Sequence, residues 1–170
     1  MRHILVDGYN VIRADPRLLA FERVSLEQAR TVLAQTLASS PRLANDNIVV
    51  VFDGTRGSRT HVHAHQLGRV RLLYSARGQT ADDVIIAHAQ KLAAGGRVVV
   101  ISNDVAVREQ CRAAGCDVSG AENLLRQLPG GLGRRPVRDD EPEPTTLSTD
   151  KRGNPRRSSR RQRRQRDIRF

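Results

Sequence analysis

Apolar runs of four to six residues alternate along this chain with longer segments of helical period, and that rhythm confines it to strands and helices wound around a mainly parallel sheet. HILV from His3, IVVVF from Ile48, VRLLY from Val70, RVVVIS from Arg97 and the shorter CDVS from Cys116 read as strands. SLEQARTVLAQTLAS, from Ser25, places Leu26, Ala29, Val32 or Leu33, Thr36 and Leu37 on one helical face, with Ser25 and Gln28 spaced as a capping box. Thr80 caps a second helix, ADDVIIAHAQKLAA, which Gly95 and Gly96 are expected to end in left-handed geometry. VAVREQCRAAG and AENLLRQL supply two more helices, and a polar connection runs from Gly54 to Gly68. The expected fold is α/β, a three-layer sandwich around a mainly parallel central sheet, and 170 residues suffice for one such domain.

The pattern stops at Pro129. Residues 1–128 are expected to form the domain, and residues 129–170 a disordered linker and arginine-rich tail. The tail has almost no apolar residues and cannot bury enough surface to offset its chain entropy. It also carries most of the charge. Residues 1–129 hold 16 basic and 12 acidic side chains, and residues 130–170 hold 13 basic and 6 acidic, of the net +11 overall. A surplus of this size favours phosphate-rich partners, and the tail arginines Arg156, Arg157, Arg160, Arg161, Arg163 and Arg164 are candidate RNA contacts. An acidic patch, Asp139 to Glu143, separates them from the domain.

No apolar run approaches the roughly 18–20 residues that cross a bilayer, so no membrane association is expected. Met1 leads almost at once into a strand rather than into a secretory leader, which points to the cytosol. Cys111 and Cys116 lack a second pair to complete a zinc site and read as thiols of a reducing compartment.

Three strands run into an aspartate: HILV into Asp7, IVVVF into Asp53, and VVVIS through Asn103 into Asp104. In a parallel sheet the carboxyl ends of the strands share one edge, and ligands bind in the crevice outside it. Asp82 and Asp83, in the first turn of the helix capped by Thr80, join the same edge. Clustered carboxylates repel one another unless a cation sits among them, and Mg²⁺ and Mn²⁺ prefer oxygen ligands. The expected metal residues are Asp7, Asp82 and Asp104, with Asp53 a fourth ligand or an anchor behind the others. A helix N-cap is the alternative role for any single one of these aspartates.

The motifs MRHILVDGYNVI, VVVFDG, YSARGQTADDVI, VVVISND and SGAENLL, in this order and spacing over residues 2 to about 128, resemble the YacP-like branch of the NYN domain family, itself similar to PIN nucleases. The resemblance implies metal-dependent RNA cleavage, with Asp7, Asp82 and Asp104 matching acidic positions of the site and Asn10 matching an asparagine of the opening motif. Between Asp82 and Asp83 the ligand is ambiguous, and Asp82 is preferred as the aspartate of TAD. The implied function is a divalent-metal-dependent endoribonuclease whose partner is RNA, with the ribosome as a candidate setting. The alternative is a non-catalytic RNA-binding or ribosome-associated protein on the same fold.

Other residues carry weaker signals. Gly8 and Asn10 read as a turn after the first strand, and Tyr9 as either a base-stacking ring or one packed beneath that turn. Arg56, Arg59, Arg69 and Arg77 fall in loops expected to lead to the carboxylate edge and to hold the RNA backbone. His61, His63 and His65 would share one face of an extended segment, either solvated or facing RNA. Haloacid-dehalogenase-like phosphatases need a second aspartate where Tyr9 stands. Receiver domains need an acidic pair at the first strand and a later lysine, whereas Lys91 is the only lysine before Lys151.

Overall fold

The computed structural model describes residues 1–54 and 63–129. In chain order its first half contains β1 (His3–Asp7), α1 (Gly8–Ala14), α2 (Pro16–Val24), α3 (Leu26–Ser39), a single 3-10 turn (Pro41–Leu43) and β2 (Asn47–Phe52). Then follow β3 (His63–Leu67), β4 (Val70–Tyr74), α4 (Ala81–Ala93), β5 (Val98–Ile101), α5 (Val105–Ala113), β6 (Asp117–Ser119) and α6 (Ala121–Leu125). The strands form one sheet in the order β3-β4-β2-β1-β5-β6, parallel throughout except where β3 runs antiparallel to β4.

Alternation of side chains along the strands makes the sheet a divider between two cores. Ile4, Val6, Val50, Phe52 and Leu72 face a layer built from α1, α2, α3 and α6, where Val11, Leu18, Leu33, Leu37 and Leu125 are buried. Leu5, Val51, Leu73 and Val100 face the opposite layer, where α4 and α5 contribute Val84, Ile85 and Val107. Burying each such side chain contributes roughly 1.5–3 kcal/mol. The three-layer α/β sandwich expected from the runs is therefore what forms.

The helix starts are chemically explicit. The Ser25 hydroxyl accepts the Gln28 N–H at 3.3 Å at the head of α3. Thr80 and Asp83 form a reciprocal box at the head of α4: the Thr80 hydroxyl accepts the Asp83 N–H at 3.1 Å, and the Asp83 carboxylate accepts the Thr80 N–H at 3.0 Å. Asp15 caps α2 by accepting the Arg17 and Leu18 N–H groups, with Pro16 at the first helical position.

Four expectations need correction. Gly8 and Asn10 lie in a helix and not in a turn, because Asp7 caps α1 directly, and Asp15 followed by Pro16 restarts the chain as α2. Gly8 is needed there for closeness rather than for left-handed geometry: an added Cβ would overlap the Phe52 ring. Gly95 and Gly96 do not end α4 in the left-handed region, which among the described residues only Gly68, Gly78 and Gly115 occupy. Instead the Ala94 and Gly95 N–H groups both fold back onto the Leu92 carbonyl. Finally, the polar connection contains β3, whose hairpin with β4 reverses the chain and carries Arg69 to the amino end of β4.

Arg56, Arg59, His61 and all of residues 130–170, including the six tail arginines, lie outside the described residues. Among the described residues no helix is long and apolar enough to cross a membrane.

Candidate active site

β4, β2, β1 and β5 are parallel neighbours, so their carboxyl ends share an edge. Asp7 is the last residue of β1 and lies opposite Val51, two residues before Asp53. Val6 lies opposite Ile101, three residues before Asp104. Asp82 enters from the first turn of α4, which begins where β4 has ended. The helix after β1 packs on one face of the sheet and the helix after β5 on the other. A crevice opens where adjacent strands lead to opposite faces, and Asp7, Asp53 and Asp82 border it.

Each carboxylate is held differently. Asp7 is buried; it accepts the Asn10 N–H at 3.2 Å, the Ser102 hydroxyl at 3.2 Å and the Asn10 side-chain amide. Asp104 caps α5 through the Val107 N–H at 3.0 Å, and its own N–H reaches the Ser102 oxygen at 3.1 Å. Asp53 accepts the Ala81 N–H at 2.6 Å, tying the end of β2 to the head of α4. Asp82 takes no hydrogen bond from the described residues. Its carboxyl is held above the ordinary range, first by burial and then by the charges of Asp7, Asp104, Asp53 and Asp83.

The pair left ambiguous by sequence separates here. Asp83 is exposed, gives its carboxylate to Thr80, whose N–H holds it below the ordinary range, and does not line the cleft. Asp82 lines a cleft of about 470 Å³ together with Asp7, Asp53, Tyr9, Asn10 and Arg13. Asp104 is not among the lining residues and acts on Asp82 through space. Among the described residues, no three acidic, histidine or cysteine side chains stand close enough together to hold a metal ion.

The YacP-like NYN domain family matches residues 4–138. This chain belongs to that family. The uncharacterized protein YacP of Bacillus subtilis (strain 168) is 31% identical over 128 residues, which are 74% of this chain and 74% of that protein. The crystal structure of Rae1 (YacP) from Bacillus subtilis superimposes with a TM-score of 0.61 at 30% identity, over 74% of this chain and 72% of that one. A single-substitution mutant of Rae1 gives 0.60 at 31% identity, over 73% and 72%.

Within this YacP-like NYN domain the expected arginines divide. Arg77 is exposed in the loop that leads from β4 to α4, on the carboxylate edge. Arg69 sits at the opposite edge, where its guanidinium donates to the Leu37 and Ser40 carbonyls at 3.3 and 2.5 Å, and so braces α3 against β4. The direction of β4 accounts for the difference, since a residue that directly precedes a strand parallel to β2 lies at the amino end of the sheet, away from the carboxylates.

Tyr9 is packed rather than free. Its ring meets Phe52 edge-on at 5.2 Å, and Phe52 stacks on Tyr74 at 5.8 Å. The Arg30 guanidinium lies within 5.2–5.4 Å of all three ring centroids and donates to the Tyr9 hydroxyl. Sequence reasoning missed this cation, and it missed Ser102, Arg13 and Glu22. Ser102 stood in the ISND run but drew no attention beside Asp104.

Proposed function

We propose that this chain is a divalent-metal-dependent endoribonuclease that hydrolyses RNA phosphodiester bonds in the cleft bordered by Asp7, Asp53 and Asp82. One observation carries the reading: three carboxylates, Asp7, Asp53 and Asp82, line one cleft at the shared strand edge and repel one another there. Such mutual repulsion is relieved by a cation or by protons. Membership of the YacP-like NYN domain family supports the same class of chemistry.

The donors suit Mg²⁺ or Mn²⁺, being carboxylate oxygens only. A three-residue cage is not required, since Mg²⁺ keeps several waters and commonly uses one or two carboxylates plus substrate phosphate. Asp7 and Asp82 would hold the ion, with Asp53 and Asp104 as further carboxylates on the same edge. Bound there, it would supply an activated water and neutralise charge on the phosphate. Asn10 and Ser102 orient Asp7, and Asn10 is on this reading a positioning residue. RNA is the partner, and the basic tail its collector or a dock for the ribosome. A cytosolic setting fits the two free thiols Cys111 and Cys116.

A second reading, a non-catalytic RNA-binding module, is favoured by the failure of any three described side chains to close on one point. Incubation of the full chain with end-labelled RNA, with and without Mg²⁺ or Mn²⁺ and beside Asp82→Asn, separates the two. The nuclease reading expects metal-dependent cleavage leaving 5′-phosphate and 3′-hydroxyl ends, because water rather than the ribose 2′-OH attacks. RNA bound but left intact by the wild type selects the second reading. Cleavage in excess chelator, or cyclic phosphate products, overturns the metal mechanism.

A further inference from the structure

We infer that Arg13 is the residue that grips an RNA phosphate in the carboxylate cleft, with Tyr9 and Glu22 holding its guanidinium ready. The inference rests on reading the cleft as an RNA site and adds the group that admits a polyanion to it. A cleft lined by Asp7, Asp53, Asp82 and Glu22 repels a phosphate chain, and Arg13 is its only basic lining residue among those described. Without this cation, charge alone would disfavour entry.

Arg13 is built for the task by its position on α1. Tyr9 and Arg13 are four apart on one helical turn, so their side chains meet, and the guanidinium carbon stands 5.3 Å from the Tyr9 ring centroid. Stacking occupies the face of the guanidinium and leaves its N–H edge free to fork onto a phosphate. The edge rests against Glu22, at 3.4 Å. The Arg13 side chain is 63% exposed and its partner Glu22 14%, so the guanidinium can turn from Glu22 to a phosphate while Glu22 stays in place as the counter-ion it leaves. Leu26, 41% exposed and lining the same cleft, offers apolar surface to the adjoining ribose or base.

Arg13 thus binds a phosphate next to the one cut, contributing equally before and during the reaction. Such uniform binding appears in KM and not in kcat. Glu22 is its resting counter-ion and competes with RNA.

The test uses the full chain and a single-stranded RNA oligonucleotide, with affinity followed between about 50 and 200 mM salt and cleavage followed in parallel. Arg13→Ala is expected to bind about tenfold more weakly, and the slope of log affinity against log salt should flatten by about 0.7, the value for one neutralised phosphate of a single strand. Arg13→Lys should keep the slope and recover part of the affinity, while Glu22→Gln should bind more tightly than wild type at low salt. KM should rise in Arg13→Ala with kcat held, and the far-ultraviolet circular dichroism spectrum should match the wild type. Arg13→Ala binding within twofold of wild type with an unchanged slope overturns the inference. Failure of the wild type to cleave would instead overturn the nuclease reading, and the binding comparison would still decide the role of Arg13.

Discussion

The Ser102 hydroxyl donates to the Asp7 carboxylate at 3.2 Å, joining residues 95 apart in the chain. It also accepts the Asp104 N–H at 3.1 Å and the Asn10 side-chain amide at 3.4 Å, so its one donor and both lone pairs are used. Ser102 is fully buried. Ser102→Ala is expected to cost about 1–3 kcal/mol, the penalty of leaving such groups unmatched. Urea unfolding measures it, and RNA cleavage should fall alongside because Asp7 loses its anchor. An unchanged urea midpoint would assign the hydroxyl no structural part.

Asp82 is expected to make stability depend on pH and, on the proposed reading, on metal. Its folded carboxyl titrates above the ordinary value of 3.8, so its contribution to stability is present below that value and is lost as pH rises through the folded pKa. At neutral pH the ionised group opposes folding. Asp82→Asn should therefore melt above the wild type at pH 7, and the gap should close as the pH falls towards 4. Millimolar Mg²⁺ or Mn²⁺ should raise the melting point of the wild type more than that of the variant. Equal responses in the two proteins would show that Asp82 is no ligand.

Gly8 supports the site from beneath. A Cβ there would run into Phe52, a fully buried ring with aromatic neighbours on both sides. Gly8→Ala is expected to destabilise by about 1–3 kcal/mol, the usual range for overpacking. Chemical denaturation with circular dichroism tests this, and a loss below about 0.5 kcal/mol, the size of an ordinary surface substitution, would mean that the ring moves freely aside.

The tail prediction concerns affinity rather than chemistry. Replacing Arg156, Arg157, Arg160, Arg161, Arg163 and Arg164 by glutamine should weaken RNA binding and flatten its salt dependence by about 0.7 for each phosphate no longer neutralised. Cleavage at saturating RNA should persist. Wild-type affinity across the same salt range would reassign the segment to solubility or to a protein partner.

The strands and the later helices were legible because a parallel strand buried on both faces reads as an unbroken apolar run, and Thr80 capping its helix is plain in the residues themselves. The shared edge of the aspartates followed from parallel order alone. What escaped was local chemistry serving two purposes. Asp7 ends a strand and caps the next helix, which hid α1 behind its reading as a metal residue. Asp15-Pro16 was a legible helix start, but a segment with only Leu18 buried carries almost no apolar period. β3 was legible only as an extended segment from the alternation of His61, His63 and His65; with Ala64, His65 and Gln66 exposed at the sheet edge, no apolar face showed that it pairs with β4, and Arg69 was misplaced because the direction of β4 was not applied to it. Arg13 could be found only once α1 existed, since its tie to Tyr9 is a helical spacing.

The chain contains two tyrosines and no tryptophan. Both tyrosines lie against Phe52 under the Arg30 guanidinium, and one of them lines the cleft. Intrinsic fluorescence and near-ultraviolet circular dichroism of the entire molecule therefore arise chiefly from one spot beside the carboxylates. Occupancy of the cleft becomes observable optically, with no label attached.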